Sequence, residues 1–300
     1  MSAIHVFPHT AMATQFQVRL AGEEKTYAAQ AAQAAFALTD ELESKLSRFR
    51  ANSEIAAIAQ LAVGEKLRLT EPVFACLTLA KKMEAATRGA FSITAAARKL
   101  AMERGQPCPP LSGQSSERAD MAVRAPQWSL ESFSIRCDDG KLEFDLGAIG
   151  KGFALDRMAE LLREWSCEKF LLVAGGSSIL AGDAPAGTPG WSCGLGEDNS
   201  AQRFFLKHGS LSGSGLAVQG GHILDPRTGQ PAQRQQRAWA LCNTAAESDA
   251  LSTACMVLPE AEITEVLSAN KSWLVILDNA GDYRVLGERV PPSLLDSNTA

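Results

Sequence analysis

The sequence predicts an α+β fold, and three observations carry that expectation. Stretches with an apolar residue at every second position interleave irregularly with stretches of three- and four-residue apolar spacing, unlike the strict alternation of a doubly wound sheet. Strand-like runs in the second half follow one another across Gly, Pro and Ser clusters. The 300 residues are 46% hydrophobic and 21% charged, which is enough apolar material for a large core in one big domain or two smaller ones.

Residues 14–20 alternate as Thr-Gln-Phe-Gln-Val-Arg-Leu and point Phe16, Val18 and Leu20 to one face of a strand. Residues 24–46 follow as a helix whose buried stripe is Ala32, Ala35, Leu38, Leu42 and Leu46. Ser47-Arg-Phe-Arg-Ala-Asn-Ser-Glu54 breaks that period, and Ser53 can cap a short helix from Glu54. A helix over 71–88 is stopped by Gly89. Residues 104–119 contain the most loop-like stretch, Gly105-Gln-Pro-Cys-Pro-Pro-Leu-Ser-Gly113, an excursion or a seam between subdomains.

Strands over 133–136 and 141–146 are expected to pair as a hairpin around Asp138-Asp-Gly140. A helix over 151–165, apolar at Phe153, Leu155, Met158, Leu161 and Leu162, packs on the sheet, and a buried strand over 169–173 follows. Strands over 191–195, 203–207, 238–242, 273–277 and 282–285, with helices over 248–258 and 261–269, complete the expected elements. Residues 291–300 are a loosely ordered tail.

A net charge of -5 without a long Lys/Arg run excludes nucleic acid and anionic membrane as main partners, so any anion site is local. The first ten residues carry no basic and apolar signal pattern, and no stretch reaches membrane-spanning length without charges. Seven scattered cysteines with no Cys-x-x-Cys, and only four histidines, suit reduced, buried small hydrophobes rather than zinc or a disulfide framework. A cytoplasmic address is the expectation.

The turn Asp145-Leu-Gly-Ala-Ile-Gly-Lys-Gly-Phe-Ala-Leu-Asp156 runs straight into a helix, an arrangement suited to a phosphate. Its glycines allow close backbone approach and Lys151 adds a point charge beside helix-start amides. It is neither a Walker A loop nor a dinucleotide fingerprint, and a plain tight connection with a solvated Lys151 explains it as well. Asp249 and Thr253, four apart on one helix face, offer oxygens to a hard cation such as Mg2+. The same pair also suits a first-turn acid and a back-bonded threonine. A second glycine-rich region, Ser210-Leu-Ser-Gly-Ser-Gly215 and Gly220-Gly-His-Ile-Leu-Asp-Pro-Arg-Thr-Gly229, carries turn chemistry at Asp225-Pro-Arg-Thr-Gly. His222 within it is either a general base or phosphate ligand, or a structural histidine.

Together, Asp145-Leu-Gly-Ala-Ile-Gly-Lys-Gly152, Gly175-Gly176, Ser212-Gly213, His222-Ile-Leu-Asp-Pro-Arg-Thr-Gly229 and Asp249-Ala-Leu-Ser-Thr-Ala254 resemble the FAD:protein FMN transferases, the ApbE-like flavin transferases. Order and intervals match. Ala11-Met-Ala-Thr14, Ser47-Arg-Phe-Arg-Ala-Asn-Ser-Glu54 and Gly89-Ala-Phe-Ser-Ile-Thr94 resemble the family's N-terminal signatures, so the similarity spans nearly the whole chain.

The resemblance implies an α+β ApbE-like flavin-transferase fold, a single domain of residues 1–290 with two αβ subdomains around an FAD cleft. It implies an enzyme that binds FAD, uses Mg2+ to cleave its pyrophosphate, attaches FMN to a threonine hydroxyl of a target flavoprotein and releases AMP. By the same resemblance Ala148 (through its carbonyl), Asp249 and Thr253 hold the metal, and Asp145 and Lys151 contact FAD. Met12, Phe49, Ala90, Phe91, Ser92 and Ile223 match positions lining the FAD pocket, and His222 is the candidate base for the incoming hydroxyl. Familiar members are exported lipoproteins, whereas the start of this chain shows neither signal nor lipid-attachment cysteine.

Several positions depart from the family pattern. Met-Gly-Thr is Met12-Ala-Thr14, Phe-Asp is Phe91-Ser92, Phe49 stands for a tyrosine, Leu211 replaces a threonine, and 215–220 lacks the expected tyrosine. These changes bear on FAD recognition and leave the implied metal ligands intact. The altered N-terminal motifs favour a second reading, an FAD-binding or flavin-storage protein without transferase activity, and a third is a Mg2+-dependent FAD pyrophosphatase producing FMN and AMP, since water can replace threonine as nucleophile.

Overall fold

An eight-stranded, wholly antiparallel sheet organises the chain, with helices on one face and a small hairpin on the other. The computed structural model describes residues 3–94, 126–195, 203–215, 224–228, 232, 236–279 and 281–288. The sheet is built from β1 (Ile4–Ala11), β2 (Thr14–Ala21), β6 (Phe170–Ala174), β7 (Ser178–Ala181), β10 (Gly209–Gly215), β11 (Arg237–Cys242), β12 (Leu274–Asn279) and β13 (Asp282–Leu286), adjacent in that order. A second sheet has the order β3 (Lys66–Arg68), β5 (Ser134–Asp139), β4 (Gln127–Glu131), and β8 (Trp191–Gly194) pairs only with β9 (Arg203–Leu206). The helices are α1 (Lys25–Leu46), α2 (Glu54–Ile58), α3 (Glu71–Ala86), α4 (Gly150–Glu164), α5 (Ala245–Cys255) and α6 (Glu260–Ala269). The mixed order bears out the α+β expectation.

Period-two patterning explains both faces of the main sheet. On β2, Phe16, Val18 and Leu20 are fully buried beneath the helices, as their alternation predicts. Each such side chain contributes about 1.5–3 kcal/mol on burial. The opposite face gathers Leu171, Trp191, Phe204, Leu206, Leu211, Trp239, Leu241 and Ile276 into a separate cluster closed by the β8–β9 hairpin. Helix α1 buries Ala28, Ala31, Ala32, Ala35, Phe36, Leu42 and Leu46, and Leu38 lies only partly buried at the stripe's edge. Glu24 caps α1, accepting from the amides of Thr26 and Tyr27, and Ser53 caps α2, accepting from Ala56 at 2.9 Å.

Some sequence expectations need correction. Residues 141–146 are not a strand, although Leu142, Phe144 and Leu146 alternate inward. The hairpin is instead β4–β5, turned by Ser132 and Phe133, both at positive φ. Gly140 at φ +73° ends β5, so Asp138-Asp-Gly140 closes the strand rather than joining two. Alternation alone marks which side chains point inward, and a strand also needs a partner for its backbone groups. Helix α5 starts at Ala245, three residues earlier than expected, because Thr244 accepts from the Glu247 amide as its cap. The glycine-rich 210–215 segment, assigned no element from the sequence, lies in strand β10. The stretch 104–119 and the tail 291–300 lie outside the described residues. Six of the seven cysteines are described; all six are free and all but Cys193 are buried. Burial pushes the Cys76 thiol up to about 12. Among the described residues no helix is long and apolar enough to cross a membrane.

The β1–β2 turn shows a local cost. Met12 and Ala13 both adopt left-handed φ, +50° and +56°, as a two-residue hairpin loop requires. A Cβ in that region costs about 1–2 kcal/mol, and Ala13 bears one there. Ala13→Gly is therefore expected to raise the unfolding free energy by about 0.5–1 kcal/mol in urea titrations, after the larger chain entropy of glycine is subtracted. An unchanged or lower value would contradict the strain assignment.

Candidate functional site

The site is built where the N-terminal end of α4 meets the second turn of α5. Helix α4 begins at Gly150 behind Ile149, which provides no side-chain cap, so its first amides point outward unclaimed by the helix. One of them finds a partner across the interface: the Gly152 amide donates to Asp249 Oδ2 at 3.2 Å. The backbone bonds at this helix start close on Leu146, from Ile149 and Gly150, and on Ile149, from Phe153, and so skip the Ala148 carbonyl. Lys151 Nζ donates to the Gly147 carbonyl at 3.1 Å and lies 3.7 Å from Asp249 Oδ2.

Asp249 is a buried carboxylate, 4% exposed, at the centre of this arrangement. Its second oxygen accepts from Ser178 Oγ at 3.3 Å, at the start of β7. Burying a carboxylate is costly unless it is paired and hydrogen-bonded, and here the helix-start amide, a hydroxyl and an ammonium share that task at long range. One turn further along α5, Thr253 Oγ1 donates back to the Asp249 carbonyl at 3.2 Å and lies 3.3 Å from Ser214 Oγ. Thr253 is thus back-bonded, as one of the two sequence readings has it. Asp249 lies in the second turn of α5 rather than the first, because the helix starts at Ala245.

The two elements approach closely because Gly152 has no side chain. A Cβ there would lie 2.2 Å from the Ala245 carbonyl oxygen and 2.7 Å from the Ala246 Cα, well inside contact distance. Asp156, one turn along α4, takes the Ala245 amide on Oδ1 at 2.7 Å and the Ala246 amide on Oδ2 at 2.9 Å. Burial pushes its carboxyl up to about 7, and the two amides pull in the opposite direction.

A rim of polar ties leads from this centre to the N-terminal segments. Asp145 Oδ1 accepts from the Gly147 amide at 2.9 Å, its Oδ2 faces Arg48 at 3.5 Å, and its amide donates to the Ile93 carbonyl at 2.7 Å. Arg48 lies over the Phe49 ring at 4.6 Å, and Phe49 is 84% exposed, unusual for so large an apolar side chain. Arg50 pairs with Glu43 Oε1 at 3.1 Å, and Glu43 Oε2 accepts from the Met12 amide at 2.9 Å. Phe49, Asp145, Lys151 and Asp249 are therefore linked through contacts, and Met12 is tied through Glu43 to Arg50, the chain neighbour of Phe49.

Ala90 and Phe91 depart from a simple pocket-lining picture. Both are about 2% exposed and belong to the core, while Ser92 bonds Thr94 Oγ1 at 2.9 Å. They reach the site through the backbone, by way of the Ile93 carbonyl that holds Asp145. His222 and Ile223 lie outside the described residues. Downstream of them, Asp225 Oδ1 accepts from the Arg227 amide at 2.9 Å, the turn chemistry expected of Asp225-Pro-Arg-Thr, and Arg227 pairs with both Asp225 and Glu262.

Sequence reasoning missed Ser178, Ser214, Glu43, Arg48 and Asp156. Asp156 carried a legible signal: it lies four residues after Gly152 and so shares its helix face. The serines carried none, since their partners come from distant segments. Among the described residues no three His, Cys, Asp or Glu side chains converge as a metal cluster.

The combination of this fold with a glycine-and-lysine helix start facing an acid-and-threonine helix defines a class of protein. A family model described as the ApbE family matches residues 12–277, and the chain belongs to that family. An FAD:protein FMN transferase of Klebsiella pneumoniae is 26% identical over 212 residues, which cover 65% of this chain and 65% of that protein, so the match spans about two thirds of the relative's length. Another, of Vibrio cholerae, is 23% identical over 263 residues, 82% of this chain and 78% of that one. Among solved structures, the flavin transferase ApbE of Vibrio cholerae superposes with a TM-score of 0.76 at 20% identity, covering 95% of this chain and 97% of the other. The ApbE protein of Thermotoga maritima gives 0.77 at 21% identity, with the same coverage of both chains. At these identities the structural likeness speaks for the fold.

Gly152→Ala is expected to cost about 2–4 kcal/mol of unfolding free energy, because backbone atoms of α5 must move. Gly176→Ala, at a glycine with open space around its missing Cβ, is expected to change stability by no more than about 0.5 kcal/mol. Equal effects in a urea denaturation pair would contradict the close helix contact.

Proposed function

We propose that this chain is a Mg2+-dependent FAD:protein FMN transferase, which joins the FMN half of FAD to a threonine hydroxyl of a target flavoprotein and releases AMP. The observation that carries the reading is the buried Asp249 carboxylate, faced by Lys151 and the amide of Gly152, with Thr253 one turn away. The donor set suits Mg2+: a carboxylate oxygen, the Thr253 hydroxyl and the Ala148 carbonyl that the α4 start leaves outside its ladder are all hard oxygens. Few protein ligands match a Mg2+ that keeps waters and takes substrate phosphates.

Bound there, the ion would supply charge neutralisation on the diphosphate and on the departing AMP. Residues of the chain supply position and local field. Lys151 and the amides at the α4 start offer donors to phosphate oxygens. Asp145, anchored to Gly147 and to the Ile93 carbonyl, sets the neighbouring wall. Phe49, exposed on its loop, offers an aromatic face to the flavin. In the transfer the acceptor threonine oxygen bonds to the FMN phosphorus, the bond from that phosphorus to the bridging oxygen breaks, and AMP departs with the bridging oxygen. The hydroxyl proton goes to a base, for which His222 is the candidate.

Incubation with FAD, Mg2+ and a candidate flavoprotein is expected to yield an acceptor heavier by the FMN moiety, detected by mass. FMN and AMP without adduct would replace the reading with hydrolysis, and tight FAD binding without turnover would replace it with flavin carriage. Asp249→Ala is expected to reduce Mg2+-dependent turnover by a factor of about 100 or more, as loss of a metal ligand should. Full Mg2+-dependent turnover in that variant would refute the metal assignment.

A further inference from the structure

Two contacts one turn apart on α4 hold α5 in place, and they differ in strength. Gly152 donates its amide to Asp249 Oδ2 at 3.2 Å, and Lys151 stands 3.7 Å from the same atom. Asp156 accepts the Ala245 and Ala246 amides at 2.7 and 2.9 Å, one on each oxygen. Short bonds from two amides to one carboxylate are the stronger class, and they exploit the positive end of the α5 dipole. The tighter of the two ties between the helices is therefore the one at Asp156.

The helix does not need Asp156 merely to form. Thr244 already caps α5 locally, its Oγ1 accepting from the Glu247 amide at 3.3 Å. What Asp156 adds is the tie between chains of residues 89 and 90 positions apart, from the lysine-bearing helix to the helix of Asp249 and Thr253. Gly152 makes that tie short by allowing backbone contact at Ala245.

We propose that Asp156 is a positioning residue: it fixes the oxygen pair of Asp249 and Thr253 opposite Lys151 and so sets the affinity of the site for a divalent cation. This rests on the reading above that Asp249 and Thr253 bind the metal. Asp156 acts through the Ala245 and Ala246 amides that it holds. In Asp156→Asn the amide nitrogen confronts a backbone N–H, so one of the two bonds is replaced by a donor–donor contact. The α5 start shifts, and the oxygens separate from the α4 start.

The test is a Mn2+ titration without FAD, followed by electron paramagnetic resonance at about pH 8, above the pKa to which burial lifts Asp156, where the carboxylate is ionised. Asp156→Asn is expected to weaken Mn2+ binding by roughly 10-fold or more, the usual effect of losing a group that orients a ligand. Thr244→Ala removes a cap from the same helix without touching the tie, and is expected to leave Mn2+ affinity within about 2-fold while lowering thermal stability. Should Asp156→Asn fail to fold, Asp156→Glu keeps both acceptors on a longer arm and is expected to weaken binding while preserving the fold. Wild-type Mn2+ affinity in the folded Asp156 variant, or equal weakening by Thr244→Ala, would overturn the positioning role. Asp249→Ala separates the two ideas: if it loses Mn2+ while Asp156→Asn keeps it, only this inference falls, and if it keeps Mn2+, the metal reading falls and takes the inference with it.

Discussion

The close approach of α4 to α5 at Gly152 is the constraint on which the rest of the site depends. Helix axes normally keep 8–10 Å apart because side chains intervene. Here a missing Cβ lets the backbone of one helix meet the first turn of the other, with no room for even a methyl group beside the Ala245 carbonyl. That contact places unclaimed amides of one helix start against a carboxylate of another. Without it Asp249 would be a buried charge with little to balance it, a situation that normally costs several kcal/mol.

The neighbouring seam between α5 and the sheet is polar and yet buried. Ser210, Ser212 and Ser214 alternate on the helix-facing side of β10 and meet Ser248, Ser252 and Thr253. Ser210 also bonds the Thr244 carbonyl at 2.6 Å, which ties the start of α5 to the strand. Each hydroxyl here would carry a desolvation cost of about 1–3 kcal/mol if its partner were removed. Apolar packing sets register through shape alone, and paired hydroxyls add directional bonds to it. The seam thereby gives α5 one position along the sheet, and the ties to α4 give it one position across.

The N-terminal segments join the same structure through charge rather than burial. Glu43 links the β1–β2 turn to Arg50, and Asp145 links Arg48 to the 93–94 segment. Exposed pairs of this kind contribute little to stability individually, commonly 0–1 kcal/mol. Their effect is geometric: three loops with no shared secondary structure are brought to one rim beside Lys151. Ala13, Phe49 and Ser92 all lie on these segments, at the rim above the contact of the two helices.

Much of this protein was legible in the chain alone. Alternation fixed the inward face of β2, helical spacing marked α1 and α4, and Ser53 announced its cap, since each depends on neighbours within a few residues. The residues Asp145, Lys151, Asp249 and Thr253 were likewise visible as local motifs, though their convergence was implied only by resemblance. The strand expected at 141–146 failed because pairing depends on a partner chain, not on alternation. β10 was hidden because its buried face is serine, and a buried serine looks like a surface one until the opposing hydroxyls are known. By itself the sequence determined which residues carry charge, bend the chain and face inward. Only the tertiary structure decided that Gly152 and Ser178 bond Asp249 and that Asp156 bonds the Ala245 and Ala246 amides, because hydrogen bonds spanning 71 to 97 residues have no signature in local spacing.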